Sequence, residues 1–69
     1  MYKIKTEIFK DYMEKNDLSV SDLASKCSVS ASNIEKLLKN SQDLRLFTLL
    51  KILRALDIRF TEACYSAED

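Results

Sequence analysis

Two helix-start patterns, eleven residues apart, constrain this chain more than any other feature. The first is Leu18-Ser19-Val20-Ser21-Asp22-Leu23 and the second is Val29-Ser30-Ala31-Ser32-Asn33-Ile34. Each sets an apolar residue before a serine, a polar or acidic residue three positions on, and an apolar residue after that. The serine hydroxyl can accept the amide of the third residue, whose side chain can reach back, while the flanking apolar pair closes as a staple. If both serines start helices, the first helix has room for about two turns. Ala24 to Val29 must then end it and turn the chain. Two short helices across a tight turn make a helix-turn-helix unit, here spanning about residues 19–39.

The rest of the chain reads as further helices. Glycine and proline are both absent from the 69 residues, which disfavours tight hairpins and favours helices joined by short polar turns. Ile4, Ile8, Phe9, Tyr12 and Met13 recur at helical spacing, predicting a first helix over about Lys5 to Lys15 that ends at Asn16-Asp17. The second helix is expected over Val20 to Cys27, with Ser28 in the turn. The third is expected over Ala31 to Lys39, with Asn40 as a left-handed stop. After the polar loop Asn40-Ser41-Gln42-Asp43, a fourth helix begins near Leu44 to Leu46 and ends near Asp57. Leu46, Leu49, Leu50, Leu53 and Leu56 form its core stripe, widened by Phe47 and Ile52. So apolar a helix is expected to be nearly surrounded by others. A short fifth helix follows near Thr61 to Tyr65, Phe60 is assigned to the core, and the tail from Ser66 is expected to fray. The expected architecture is a single all-α domain over residues 1–69, a compact five-helix fold with the helix-turn-helix at helices 2 and 3.

Composition narrows the chemistry. The chain holds 11 basic and 11 acidic residues and no histidine. Zero net charge argues against a polybasic, non-specific nucleic-acid binder, but the balance is local. Between Cys27 and Arg54, the basic residues Lys36, Lys39, Arg45, Lys51 and Arg54 outnumber Glu35 and Asp43. The acids Glu7, Asp11, Glu14 and Asp17 cluster in the first helix and its exit. Cys27 and Cys64 lack metal-site spacing, so no structural zinc, other metal or cofactor is expected, and both read as buried thiols of a reducing compartment. No signal peptide and no membrane-spanning run is visible, so a cytoplasmic location is expected. Without histidine, and with scattered acids and little room for a pocket, an enzyme or a small-molecule binder is not expected.

The two serine blocks, taken together with Leu49-Leu50-Lys51-Ile52-Leu53-Arg54-Ala55-Leu56-Asp57-Ile58, resemble the DNA-binding domain of the Cro and phage-repressor family over about residues 6–65. The family pattern is apolar-Ser-x-x-acidic-Leu-Ala, a turn, then apolar-Ser-x-x-x-Ile. The chain departs from it at defined places. Val20 stands where many members have a DNA-contacting glutamine. Ser28 and Asn40 stand for glycines. Met13 and Leu38 stand for an arginine and a glutamate that pair between helices 1 and 3. Both ion-pair partners are apolar together, a replacement that keeps the pair compatible, whereas losing one partner alone is costly. Met13 and Leu38 are accordingly expected to touch.

The resemblance implies sequence-specific binding to double-stranded DNA, as a homodimer, by a transcriptional regulator. By position, Ala31, Ser32 and Lys36 would face base edges in the major groove, with Asn33 beside them. Ser19, Ser30, Lys39, Asn40, Ser41 and Arg45 would clamp phosphates, helped by the free amides of the helix starts. The plain reading of Ser19 and Ser30 is capping, and that of Lys36 and Lys39 is solvated surface. No arginine or glutamine offers a bidentate base contact. Val20 and the zero net charge favour an alternative: a protein-interaction module on the same scaffold, such as an antitoxin or a modulator of another regulator. The homodimer interface is expected at helix 5 and the end of helix 4, from Ile52, Ile58, Phe60 and Tyr65.

Overall fold

The computed structural model describes residues 2–40 and 43–66. Along the chain run β1 (Tyr2–Ile4), α1 (Thr6–Lys15), α2 (Val20–Cys27), α3 (Ala31–Leu38), α4 (Leu46–Leu56), α5 (Phe60–Ala63) and β2 (Cys64–Ser66). The five helices and the helix-turn-helix at α2 and α3 are those expected, with boundaries within two residues for the first three. Phe9, Leu23, Ile34, Leu37, Leu49 and Ile52 are fully buried at the centre. Among the described residues the core contains no buried polar or charged residue, so apolar burial alone drives its closure.

Three helices end by the same device. Asp17, Ser28 and Asp57 take left-handed φ values of 52°, 58° and 57°. After each, the next amide bonds back to a carbonyl five residues earlier: Leu18 to Met13 at 2.8 Å, Val29 to Ala24 at 3.0 Å, Ile58 to Leu53 at 2.9 Å. This is the Schellman closure, and its customary apolar contact is also present. Leu18, Val29 and Ile58 are half-buried and packed against the core. Asn40 is the fourth left-handed residue, at φ 54°. The positions that glycine usually fills are thus held by Asp, Ser and Asn, of which Asn and Asp visit this region most readily after glycine.

The structure departs from the sequence reading at both chain ends and along α4. Ile4 lies in a strand rather than in the first helix. β1 pairs antiparallel with β2, Tyr2 opposite Ser66, Lys3 opposite Tyr65 and Ile4 opposite Cys64. The fifth helix is correspondingly short, and Ser66 is paired rather than frayed. Three-residue strands carry too little alternation to be read from sequence. In α4, Leu46, Phe47 and Leu50 are 48%, 80% and 40% exposed, so the helix is buried on one side only. Phe60, expected in the core, is also exposed at 37%. Leu49, Ile52, Leu53 and Leu56 carry the buried face, and Leu44 is buried just ahead of the helix. A small domain has too few neighbours to wrap a helix this apolar. Met13 and Leu38 are half-buried against the core, where α1 packs on α3.

Ser28 is exposed and left-handed, a conformation costing a non-glycine residue about 1–2 kcal/mol. Part of that gain is returned through the freer unfolded glycine chain. Ser28→Gly should therefore raise unfolding free energy by about 0.5–1 kcal/mol, measured by urea denaturation with an unchanged m-value. A loss of stability would show that the serine hydroxyl contributes something the backbone geometry does not.

Candidate nucleic-acid interface

The interface is built from the two serine caps outward. Ser19 has extended backbone ahead of α2. Its hydroxyl accepts the Asp22 amide at 3.1 Å, and an Asp22 carboxylate oxygen accepts the Ser19 amide at 3.0 Å. Both halves of the capping box are therefore made. The Ser19 backbone amide, and after it the Ser19 side chain, hold the Asp22 carboxyl below its ordinary range, against a lesser opposing effect of desolvation. At α3 one half is made: the Ser30 hydroxyl accepts the Asn33 amide at 3.3 Å. The reciprocal bond expected from Asn33 is not among those the described residues make, because a carboxamide lacks the charge that draws Asp22 back.

Helix α3 is fixed on one side and open on the other. Ile34 and Leu37 are fully buried and anchor it. Ala31 and Ser32 are exposed, and Asn33 and Lys36 are half-buried. Lys36 follows Ser32 by four residues and Asn33 by three, so all three share one face. Lys39 is exposed just past the helix, and Arg45 is exposed just ahead of α4. Ser19 and Ser30 are exposed at the two helix starts. Ser41 lies outside the described residues. Val20 is half-buried and packed against the core, which accounts for an apolar residue at the first position of α2. The Asn40 carboxamide oxygen accepts the Ile4 amide at 3.0 Å, a partner that sequence spacing could not reveal.

Sequence reasoning missed a second surface. Phe47, Leu50, Lys51 and Arg54 lie at i, i+3, i+4 and i+7 along α4 and, with Leu53, Ile58 and Phe60, line a groove of about 620 Å³. The signal was present as a second helical stripe, merged into the apolar pattern of the first. Cys27 and Cys64 are buried free thiols. Burial pushes both thiols up, more than Lys26 and Lys5 respectively pull them down, so neither is a thiolate nucleophile near neutral pH. No group of three metal-ligating residues occurs among the described residues, and no described helix is long and apolar enough to cross a membrane.

A family model for the Cro/C1-type helix-turn-helix DNA-binding domain matches residues 9–66. The match runs from Phe9 in α1 to the last residue of β2, most of the chain, and the chain belongs to this family. No curated protein matches it significantly.

The capping box gives α2 a pH dependence of known sign. A carboxyl held below its ordinary value of 3.8 stabilises the fold above that value and loses its effect as pH falls through the folded-state value. In urea titrations from pH 6 to pH 3, the wild-type advantage over Asp22→Asn should stay level down to about pH 4 and then shrink. An advantage undiminished between pH 6 and pH 3 would mean that the carboxylate is not the stabilising form.

Proposed function

Starting from a Cro/C1-type helix-turn-helix domain, we propose that the protein is a sequence-specific regulator of transcription that binds an inverted-repeat duplex as a homodimer, in the cytoplasm. The observation that carries this is the open face of α3. Ser32, Asn33 and Lys36 share it, two serine-capped helix starts lie ahead of it, and the exposed cations Lys39 and Arg45 flank it. Small polar groups on an exposed helix face suit base edges, and cations beside it in sequence suit phosphates. In this reading Ala31 meets a thymine methyl, Ser32 and Lys36 meet base edges, and Asn33 prefers adenine. Ser19, Ser30, Lys39, Asn40, Ser41 and Arg45 hold the backbone.

A set of base contacts this short specifies few base pairs, and doubling it on a two-fold axis supplies the rest. The face we assign to the second copy is the α4 groove, which keeps Ile58 and Phe60 of the surface expected at helix 5 and the end of helix 4, adds Phe47 and Leu50, and leaves out Ile52, which is fully buried. Phe47, Leu50, Ile58 and Phe60 provide the apolar centre. Lys51 and Arg54 border it, and the exposed acids Asp57 and Glu62 follow within the next eight residues. A two-fold arrangement can set the basic edge of one copy against the acidic edge of the other. The same exposed stripe favours the second reading, a protein-interaction module in which another regulator occupies the groove. Salt-dependent duplex binding separates the two.

Selection from a random duplex library at low salt should enrich an inverted repeat. Two to four neutralised phosphates per protomer give a log–log salt slope of roughly −4 to −7 for the dimer. Lys39→Ala should weaken all sequences about equally and flatten that slope. Lys36→Ala should relax preference at one base pair by about 1–3 kcal/mol. A library that enriches nothing gives the interaction module the field.

The interface assignment has its own test. Phe47 is 80% exposed in the protomer, so Phe47→Glu should leave the melting temperature nearly unchanged at concentrations low enough for both proteins to be monomeric. Sedimentation equilibrium should then show a monomer where the wild type is a dimer, and affinity for the inverted repeat should fall. A Phe47→Glu protein that remains dimeric would move the interface elsewhere.

A further inference from the structure

Asn40 joins the end of the reading helix to the paired chain termini. It follows α3 at φ 54°, and its Oδ1 accepts the Ile4 amide at 3.0 Å, across 36 residues. Within the strand pair, Lys3 stands opposite Tyr65, and just past it Lys5 donates its amide to the Ala63 carbonyl at 2.7 Å. Alternation along β1 turns the Ile4 amide away from β2. A partly buried amide so turned needs a partner from outside the sheet, and Asn40 supplies it.

We infer that Asn40 is a positioning residue for DNA recognition: its carboxamide ties the C-terminal end of α3 to the β1–β2 clasp and so sets the angle at which Ser32 and Lys36 are presented. The inference rests on the reading that α3 enters the major groove. Helix α3 has eight residues, about 12 Å of length. The Ser28 turn holds its first end and Asn40 holds its last. Release of the last end lets the helix pivot, and a displacement of about 1 Å is enough to degrade directional hydrogen bonds. The role is separate from the phosphate contact proposed for Asn40, which would use the Nδ2–H donor, whereas the tie uses the acceptor oxygen Oδ1.

The test separates the acceptor, the donor and the backbone. Asn40→Gly keeps the left-handed turn and removes the acceptor. Replacing the Lys3–Ile4 amide by an ester, feasible by chemical synthesis of a chain this short, removes the donor and keeps every side chain. In the free protein, Ile4 amide exchange should be slow in the wild type and in Asn40→Asp, which retains an acceptor, and at least about tenfold faster in Asn40→Gly. Affinity for the selected duplex is then measured where circular dichroism shows every variant fully folded. Asn40→Gly and the ester should each weaken binding about threefold to tenfold, and the combination should be no weaker than the worse single change. Exchange at Ile4 that ignores Asn40→Gly overturns the tie. An ester that binds like the wild type, or losses that multiply in the combination, overturn positioning and make Asn40 a phosphate ligand. A wild-type protein that binds no duplex overturns the regulator reading and the recognition role with it, while the exchange result still decides the tie.

Discussion

Between α2 and α3 the chain turns on Ser28, and the packing of the other helices follows from the angle made there. One left-handed residue, one 3.0 Å bond from Val29 to the Ala24 carbonyl, and the Ser30 cap two positions later set the angle between α2 and α3. Val29 drops its side chain against the core at the same point, so the turn is held from inside and outside together. With that angle set, Leu23, Cys27, Ile34 and Leu37 present one continuous apolar surface. Helices α1 and α4 close over it. A chain without glycine accepts backbone strain at this position, and in return the turn gains a residue with fewer unfolded conformations.

Charge is organised around this unit. The acids Glu7, Asp11 and Glu14 stand exposed on α1, whereas Lys36 lies on α3, Lys39 just past it and Arg45 just ahead of α4. Asp22, the acid within α2, is turned onto the Ser19 amide and compensates the helix dipole where it stands. Zero net charge and a local basic excess are therefore compatible, because between Cys27 and Arg54 the cations Lys36, Lys39, Arg45, Lys51 and Arg54 outnumber Glu35 and Asp43. Electrostatic steering depends on the local field and not on the sum.

Helix α4 serves two surfaces. Leu49, Ile52, Leu53 and Leu56 complete the core, while Phe47, Leu50, Lys51 and Arg54 face a groove. Exposed aromatic and aliphatic side chains contribute little to the stability of the isolated domain. Their grouping beside two cations gives them the character of an interface centre with a charged border. The core, the α3 face and the α4 groove are in this way separable, since changing an exposed α4 side chain removes little buried area.

Local physics made the helix-turn-helix legible. Capping, staple and left-handed stop all act within six residues, so Ser19, Ser30, Ser28 and Asn40 could be placed from the chain alone, and α2 was bounded to the residue. The apolar period also identified α4 as a helix. It could not say which side of α4 is covered, because Leu46, Phe47 and Leu50 are as apolar as Leu49 and Leu53, and only the number of neighbouring elements decides which side is buried. The strand pair and the bond from Ile4 to Asn40 were equally beyond reach. They join residues some 36 to 64 positions apart, and no local pattern encodes which distant amide an exposed-looking asparagine will meet. The helix-turn-helix and its two helix starts were thus written into short stretches of the chain. The tertiary structure alone decided what braces that motif and which apolar face remains open, because both depend on chain segments that meet only when the core closes.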